Sequence, residues 1–415
     1  MKEKNSLVRM ADGRNMLVPF VLITTLFFLW GFAHSILDVL NKHFQDELGI
    51  SKAHSALVQA VVYGGYFLMA LPAGEIIRRF GYRVGVLAGL LLYGCGALLF
   101  LPGSTMHSFE FFLFSLFIIG CGLTCLETAA NPYVTVLGHP SSAERRINLA
   151  QSFNGLGWIC GPLVGGFFLF ASGEGADIAM PYAIIGGVVL LVAAVFSRVR
   201  LPEVQASTDE AGQETSVSGA EGPGLWQHPH FVWGLCALFL YVAAQTGVNS
   251  FFINYVTDCV DVSPYEASQW LSFVGMGLFM AGRMGGSVAM RYLSGRRLLA
   301  YCALGALLAM SLVVFCPGWL GTSGYFACFL CESIMFPTIF ALSIRGLGIH
   351  TKRASSFLIM SIVGGALAPV LMGLIADASA MPVAFVVPMA CFASILAYAL
   401  WLGRRDQPGI PAAEL

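Results

Sequence analysis

The stretch LPEVQASTDEAGQETSVSGAEGPGLWQHP, residues 201–229, is the one long polar break in an otherwise apolar chain. It holds five acidic residues, no Lys or Arg, and several Gly, Ser, Thr and Pro. A segment of this composition has too little apolar surface to order itself and reads as a flexible linker. Six apolar runs precede it and six follow, from near 17–41 to near 382–402. The break therefore divides the chain into two bundles of six helices, 1–200 and 230–415, joined by a linker at 201–229.

The composition supports that division. Of 415 residues, 57% are hydrophobic and only 11% charged, and the mean hydropathy is +0.76. A soluble domain carries about 25% charged residues, so this chain has too few to cover a water-facing surface, which argues against a soluble enzyme. A bilayer helix needs roughly 20 apolar residues, so twelve spans take about 240 and leave enough chain for loops and termini. The expected fold is an all-α membrane protein of twelve transmembrane helices in two pseudo-symmetric six-helix bundles. A net charge of -1 lacks the basic excess of a nucleic-acid binder. Most of the eleven cysteines lie inside apolar runs and read as packing residues, and the lone CxxC at Cys328 and Cys331 has no second pair to complete a metal site.

The cations set the expected orientation. With the N-terminus in the cytoplasm, 19 Lys and Arg residues fall on the inner side, and only Lys42 and Lys52 on the outer side, with Arg283 inside a span. That is the positive-inside distribution of a multi-pass protein of the cell membrane with both termini cytoplasmic. The halves also resemble each other. FFLWGFAHSILDV (27–39) aligns with LFLYVAAQTGVNS (238–250), and Gly74, Arg79, Pro132 and Pro162 align with Gly286, Arg291, Pro337 and Pro369 at a nearly constant offset. A parallel six-helix duplication resembles the major facilitator superfamily, whose loop pattern G-x3-D-R-x-G-x-R is similar to Gly74-x3-Arg78-Arg79-x-Gly81-x-Arg83. Arg78 stands where the acid usually is.

Three acids lie within the predicted spans: Asp38, Glu127 and Glu332. A charged side chain at the bilayer centre costs about 2.5–3.5 kcal/mol on insertion scales, so each is a functional candidate, weighed against a neutral or hydrogen-bonded packing role. Counting from flanking charges puts Glu127 and Glu332 near mid-membrane and Asp38 roughly 15 Å from it at 1.5 Å per residue, two depths that fit a proton relay. Amides accompany the acids on shared helix faces: His34, Asp38 and Asn41 in span one; Glu127 and Asn131 in span four; Asn148, Gln151 and Asn154 in span five; Gln245 and Asn249 in span seven. Such stripes should face a common interior, and carboxyls with amides supply the paired donors and acceptors that suit vicinal sugar hydroxyls. The competing reading for each amide is a helix-to-helix hydrogen bond, and for His34 a satisfied packing histidine. Trp30, Tyr63, Phe273 and Phe336 are candidates to stack on a sugar ring, though most aromatics in such a chain serve packing. Pro132, Pro162, Pro337 and Pro369, with Gly155, Gly157, Gly161, Gly165 and Gly166, mark bends and close contacts.

Cys125-Leu-Glu-Thr-Ala-Ala-Asn-Pro-Tyr-Val-Thr-Val-Leu-Gly138, followed by Asn148-Leu-Ala-Gln-Ser-Phe-Asn154, resembles the fucose:proton symporter family of that superfamily. Leu26–Gly31 with Asp38, Tyr241–Thr246 and Phe336–Phe340 extend the resemblance over both halves. It implies that Asp38 and Glu127 are the proton-coupling carboxyls and that Gln151 and Asn154 contact sugar. The substrate-site set becomes His34, Glu127, Asn131, Gln151, Asn154, Gln245, Asn249 and Phe336, with Glu332 as a third buried acid of open role. The fucose pattern has asparagines at His34, Ser35 and Leu37, tryptophan at Asn249, tyrosine at Phe336 and no acid at Glu332. Ser333-Ile-Met-Phe-Pro-Thr338 is more similar to the glucose and galactose branch.

The expected function is uptake of a neutral hexose-class sugar with protons by alternating access, in a functional monomer embedded in the bilayer. Protons are the coupling ion, and no cofactor or metal is expected. A proton-driven multidrug antiporter is the first rival, because Gly157-x3-Gly161-Pro162-x2-Gly165-Gly166 fits its fifth-span motif, but Glu127 stands where that class carries arginine. A membrane enzyme or a non-transporting sugar sensor is the second. The chain lacks HExxH, GxSxG and GxxxxGK[ST] and has no long soluble output region.

Overall fold

The apolar run that opens the chain continues into Lys42–Leu48, where good helix formers and an i,i+4 pair between Lys42 and Asp46 at 2.8 Å carry the helix onward. The result is one 32-residue helix, α1 (Leu17–Leu48). At 1.5 Å per residue it is about 48 Å long, more than the roughly 30 Å of a hydrocarbon core, so one end projects beyond it. The computed structural model describes residues 8, 15–106, 108–137, 143–170, 179–198, 224–290, 292–345, 347 and 351–405. The 201–229 linker lies outside these as far as residue 223.

After α1 come α2 (Lys52–Ser55), α3 (Leu57–Leu98), α4 (Phe100–Met106), α5 (Phe109–Val136), α6 (Ala143–Phe170) and α7 (Ala179–Arg198). The second half follows with α8 (Pro229–Val260), α9 (Pro264–Trp270), α10 (Gly277–Ala289), α11 (Gly295–Phe315), α12 (Trp319–Glu332), α13 (Met335–Ile344), α14 (Thr351–Met360), α15 (Gly364–Ala378), α16 (Met381–Ala384) and α17 (Val386–Arg405). The repeat is visible in the helices that open each half, since α8 has the same 32 residues as α1.

Among the described residues, 11 stretches are long and apolar enough to cross a membrane. The predicted eighth span is broken into α9, a π-helical turn at Leu271–Met276 and α10, so no single piece reaches that length. Counting it gives twelve spans. The predicted tenth span is also broken, between α12 and α13. Pro337 has no N–H and its ring excludes the carbonyl of residue i−4, which is Ser333, the first residue of the break. That carbonyl instead accepts from Arg283 Nε at 3.3 Å, and the guanidinium lies 4.9 Å over the Phe279 ring. The cation inside a span is thus held by a proline-freed carbonyl and an aromatic face.

The second and third spans meet at Gly81, whose φ of 82° and ψ of 170° belong to a region reserved almost entirely for glycine. This glycine of the loop motif is there for its backbone. Nearby, Arg79 pairs with Glu75 one turn earlier.

The described helices fall into two compact units. One comprises residues 1–35, 65–161 and 177–222; the other comprises 36–64, 162–176 and 223–415. Three of the dividing points lie inside α1, α3 and α6, two of these at Gly64–Gly65 and Gly161–Pro162.

Replacing Gly81 by alanine should destabilise the purified protein by about 1–3 kcal/mol through its positive φ. Gly74→Ala, where an added Cβ meets nothing within 4 Å, should leave the unfolding midpoint nearly unchanged. Thermal unfolding in detergent checks both.

Candidate functional site

In the second unit the buried polar residues gather around Asp38, which is 2% exposed. Its Oδ1 accepts from Gln59 Nε2 at 2.9 Å and from Ser250 Oγ at 3.4 Å. One turn on, Asn41 Nδ2 donates to the Ser250 carbonyl at 2.9 Å. A further turn brings Gln45, which donates to Ser55 Oγ at 2.7 Å and accepts from Asn254 Nδ2 at 2.5 Å. Asp38, Asn41 and Gln45 occupy one face of α1, and Ser250 and Asn254 one face of α8, so the contacts form a ladder. Beyond it Lys52 pairs with Asp258 at 2.8 Å, and the Asp377 carboxylate accepts from the backbone N–H of Lys52 and Ala53 at 2.9 and 2.8 Å.

Glu332 belongs to the same unit and has no exposed surface, and neither of its carboxyl oxygens has a hydrogen-bond partner among the described residues. Its backbone carbonyl accepts from Tyr241 Oη at 2.9 Å. Asn249 is buried with Oδ1 unpartnered, while Gln245 is half-buried on the same helix. Phe336 leans on Tyr241 with centroids 6.2 Å apart and stacks with Phe340 at 6.3 Å. Tyr63 accepts from Thr246 Oγ1 at 3.2 Å. Phe273, a candidate for ring stacking, is 61% exposed.

In the first unit Glu127 on α5 is half-buried and is hydrogen-bonded to Tyr66 on α3. It lines a narrow crevice with Leu26, Phe27, Trp30, Leu126 and Ala130. Tyr66 is also met by two α1 side chains: Trp30 Nε1 donates to its Oη at 2.7 Å, and His34 Nε2 lies 2.9 Å from the same atom. The His34 ring stacks on Trp158 of α6, with centroids 6.0 Å apart and planes 14° from parallel.

The crossing of α1 and α6 is close because Gly31 and Gly157 face the opposing backbones. A Cβ on Gly157 would lie 2.3 Å from the Phe28 carbonyl oxygen, and one on Gly31 would lie 2.2 Å from that of Asn154. At this crossing Asn154 Nδ2 donates to the Phe27 carbonyl at 3.1 Å. Asn154 Nδ2 thus makes a helix-to-helix hydrogen bond of the kind weighed against sugar contact. Gln151, one turn earlier on α6, is half-buried. The side chains of Asn131, Pro132 and Asn148 lie outside the described ones.

The structure thus brings His34 and Glu127 together through Tyr66, and Asp38 to span seven through Ser250. Three residues at these contacts, Gln59, Tyr66 and Ser250, are absent from the predicted set. Gln59, Tyr63 and Tyr66 repeat on span two the i, i+4, i+7 spacing of His34, Asp38 and Asn41 on span one, a signal present in the sequence. Ser250 adjoins the Asn249 that the stripe on span seven identified.

Buried carboxyls and amides on packed spans, with no regular soluble domain among the described residues, define a polytopic membrane transporter. Residues 23–357 match the Major Facilitator Superfamily. The glucose/galactose transporter of Brucella abortus biovar 1 (strain 9-941) is 35% identical over 387 residues, covering 91% of this chain and 92% of its own. The L-fucose-proton symporter of Escherichia coli (strain K12) is 35% identical over 412 residues, covering 94% of each. Among solved structures, the E. coli fucose:proton symporter superposes with a TM-score of 0.67 at 33% identity, covering 95% of this chain and all of that one. The inward-open xylose transporter of E. coli gives a TM-score of 0.73 at 13% identity, covering 96% and 99%, and shares the fold alone. The chain belongs to the Major Facilitator Superfamily and, within it, to the family of fucose, glucose and galactose permeases.

Removing the interhelical bond by Asn154→Ala should lower stability by about 0.6 kcal/mol, the average for such bonds between membrane helices, and by no more than about 1.7 kcal/mol. Gln151→Ala should change the unfolding midpoint less. Unfolding of both variants in one detergent separates a pin from a ligand-facing amide.

Proposed function

We propose that this protein imports a neutral hexose-class sugar together with protons by alternating access. The observation that carries this reading is that neutral groups meet Asp38 and Glu127 among the described residues: Gln59 and Ser250 donate to Asp38, and Tyr66 bonds to Glu127. A structural buried carboxylate is normally matched by a cation, whereas one held by hydroxyls and amides exchanges its charge for a proton without breaking an ion pair. The names of the relatives, glucose/galactose transporter and L-fucose-proton symporter, agree with the sugar and the ion.

In this reading the bundles 1–200 and 230–415 rock about a central site, and the arginine-rich loops and both termini face the cytoplasm of a bacterial inner membrane. The protein acts as a monomer, protons are its coupling ion, and it needs no cofactor. Asp38 takes a proton from outside. Glu127 links protonation to sugar held by Gln151, with Asn131, Gln245, Asn249 and Phe336 completing the site and Asn154 fixing α6 against α1. The ladder between α1 and α8 closes the outer end when it forms, so its rupture accompanies opening to the outside.

Proteoliposomes with an inward proton gradient should accumulate at least one of labelled D-glucose, D-galactose and L-fucose above equilibrium. Failure with all three overturns the reading. Asp38→Asn keeps an acceptor for Gln59 and Ser250, so counterflow exchange should persist while uphill accumulation is lost. Accumulation by that variant would remove Asp38 from the proton path.

A further inference from the structure

Arg283 is the one Lys or Arg that the sequence places inside a predicted span, and its surroundings in the second unit show which way it points. Gly282 and Gly286 bring α10 close to the break in span ten, where a Cβ on either glycine would overlap the Leu330 carbonyl oxygen or the Ile334 side chain. That approach sets Arg283 Nε 3.3 Å from the Ser333 carbonyl oxygen and the guanidinium 4.9 Å over the Phe279 ring. Phe279 lies one turn before Arg283, towards the middle of span eight. An arginine that snorkels would lean the other way, to the nearer end of the span at Ala289, about 9 Å along the axis at 1.5 Å per residue. Helical side chains lean towards the N-terminus of their helix, and here that lean carries the charge towards mid-membrane.

Arg283 is exposed although protein surrounds it closely, the situation of a side chain on the wall of a recess. A guanidinium at this depth is too costly to face lipid, so the recess holds water. The Nη groups have no hydrogen-bond partner and no carboxylate within ion-pair distance among the described residues, where the Ser333 carbonyl and the Phe279 ring are the partners of this side chain. Held at Nε and on one face, the guanidinium keeps free the edge whose parallel N–H groups take a pair of neighbouring oxygens. The same unit holds unpartnered acceptors, Asn249 Oδ1 and both carboxyl oxygens of Glu332, the residue before Ser333. A ligand that brings hydroxyl hydrogens as well as oxygens suits both sets, and a plain anion suits only the first.

We propose that Arg283 is a sugar-contacting residue of the second bundle, its Nη edge donating to two neighbouring hydroxyl oxygens of the transported sugar. The proposal rests on the sugar-symporter reading and adds to it a residue that selects hydroxyl positions.

The test is calorimetric binding to the purified protein of D-glucose, D-galactose and L-fucose, and then of the monodeoxy analogues of each sugar that binds. In the natural protein, loss of either of two neighbouring hydroxyls should weaken binding about tenfold or more, as expected for a bond from a charged donor. Arg283→Gln removes the charge, and Arg283→Lys keeps it without the fork. In both, the parent sugar should bind more weakly and the penalty at those two positions should largely disappear, while penalties at the other hydroxyls stay as they were. A residue that only pinned the break in span ten would weaken the parent and every analogue by one common factor, and that result overturns the proposal. So does a natural protein in which no two neighbouring hydroxyls carry the penalty, a result that needs no variant. Tighter binding of D-glucuronate or D-galacturonate than of the parent hexose, lost in Arg283→Gln, overturns the hydroxyl assignment in favour of a carboxylate. If the natural protein binds none of the three sugars, the symporter reading fails and the assignment of Arg283 falls with it, whereas a common factor leaves that reading standing.

Discussion

A bilayer interior offers no water to a polar group, so each amide, hydroxyl and carboxyl within these spans must find its partner in the protein. That constraint accounts for the main polar contacts described. Asp38, Asn41 and Gln45 meet Ser250 and Asn254 because α1 and α8 each carry a polar stripe that neither can present to lipid. Arg283 is tolerated because Pro337 leaves a carbonyl without its helical donor. Glu332 departs furthest from that constraint, with both carboxyl oxygens lacking a hydrogen-bond partner among the described residues, and Asn249 Oδ1 is likewise unpartnered.

Asp38 and Glu127 meet the constraint in different ways. Asp38 is enclosed, and an amide and a hydroxyl donate to it. Glu127 is half-buried beside a crevice and depends on a hydroxyl that two other side chains also use.

Much of the fold was legible because the signals were long. Twenty-residue apolar runs, a cation split and a six-helix repeat all survive local irregularity. The breaks at Leu271–Met276 and at Ser333–Ile334 were not drawn in advance. Pro337 marked the second, but the first has no proline to announce it. At the site, the sequence selected Asp38, Glu127 and Glu332 as acids and His34 and Asn154 as their neighbours. It did not show that Asn154 bonds across to α1, because an amide serves ligand contact or helix pinning equally well and the Phe27 carbonyl is near only in the fold. Tyr66 escaped because a tyrosine in a span is ordinarily a packing residue. Its spacing from Gln59 and Tyr63 was the available clue.

The fifth-span glycines show how one motif supports two functional readings. Gly157 and Pro162 suit a drug exporter as well as a sugar carrier, because in both a close helix crossing and a bend serve the same mechanics. Here Gly157 lets α6 approach the α1 backbone, and Asn154 secures that approach. The crossing brings Trp158 against His34, and through His34 it bears on Tyr66 and Glu127. The small residues thus fix the geometry of this cluster, and it is the side chains beside them that set its chemistry. A half-buried carboxyl in span four distinguishes this chain from an exporter that carries arginine there. An exporter of lipophilic cations would have little use for it.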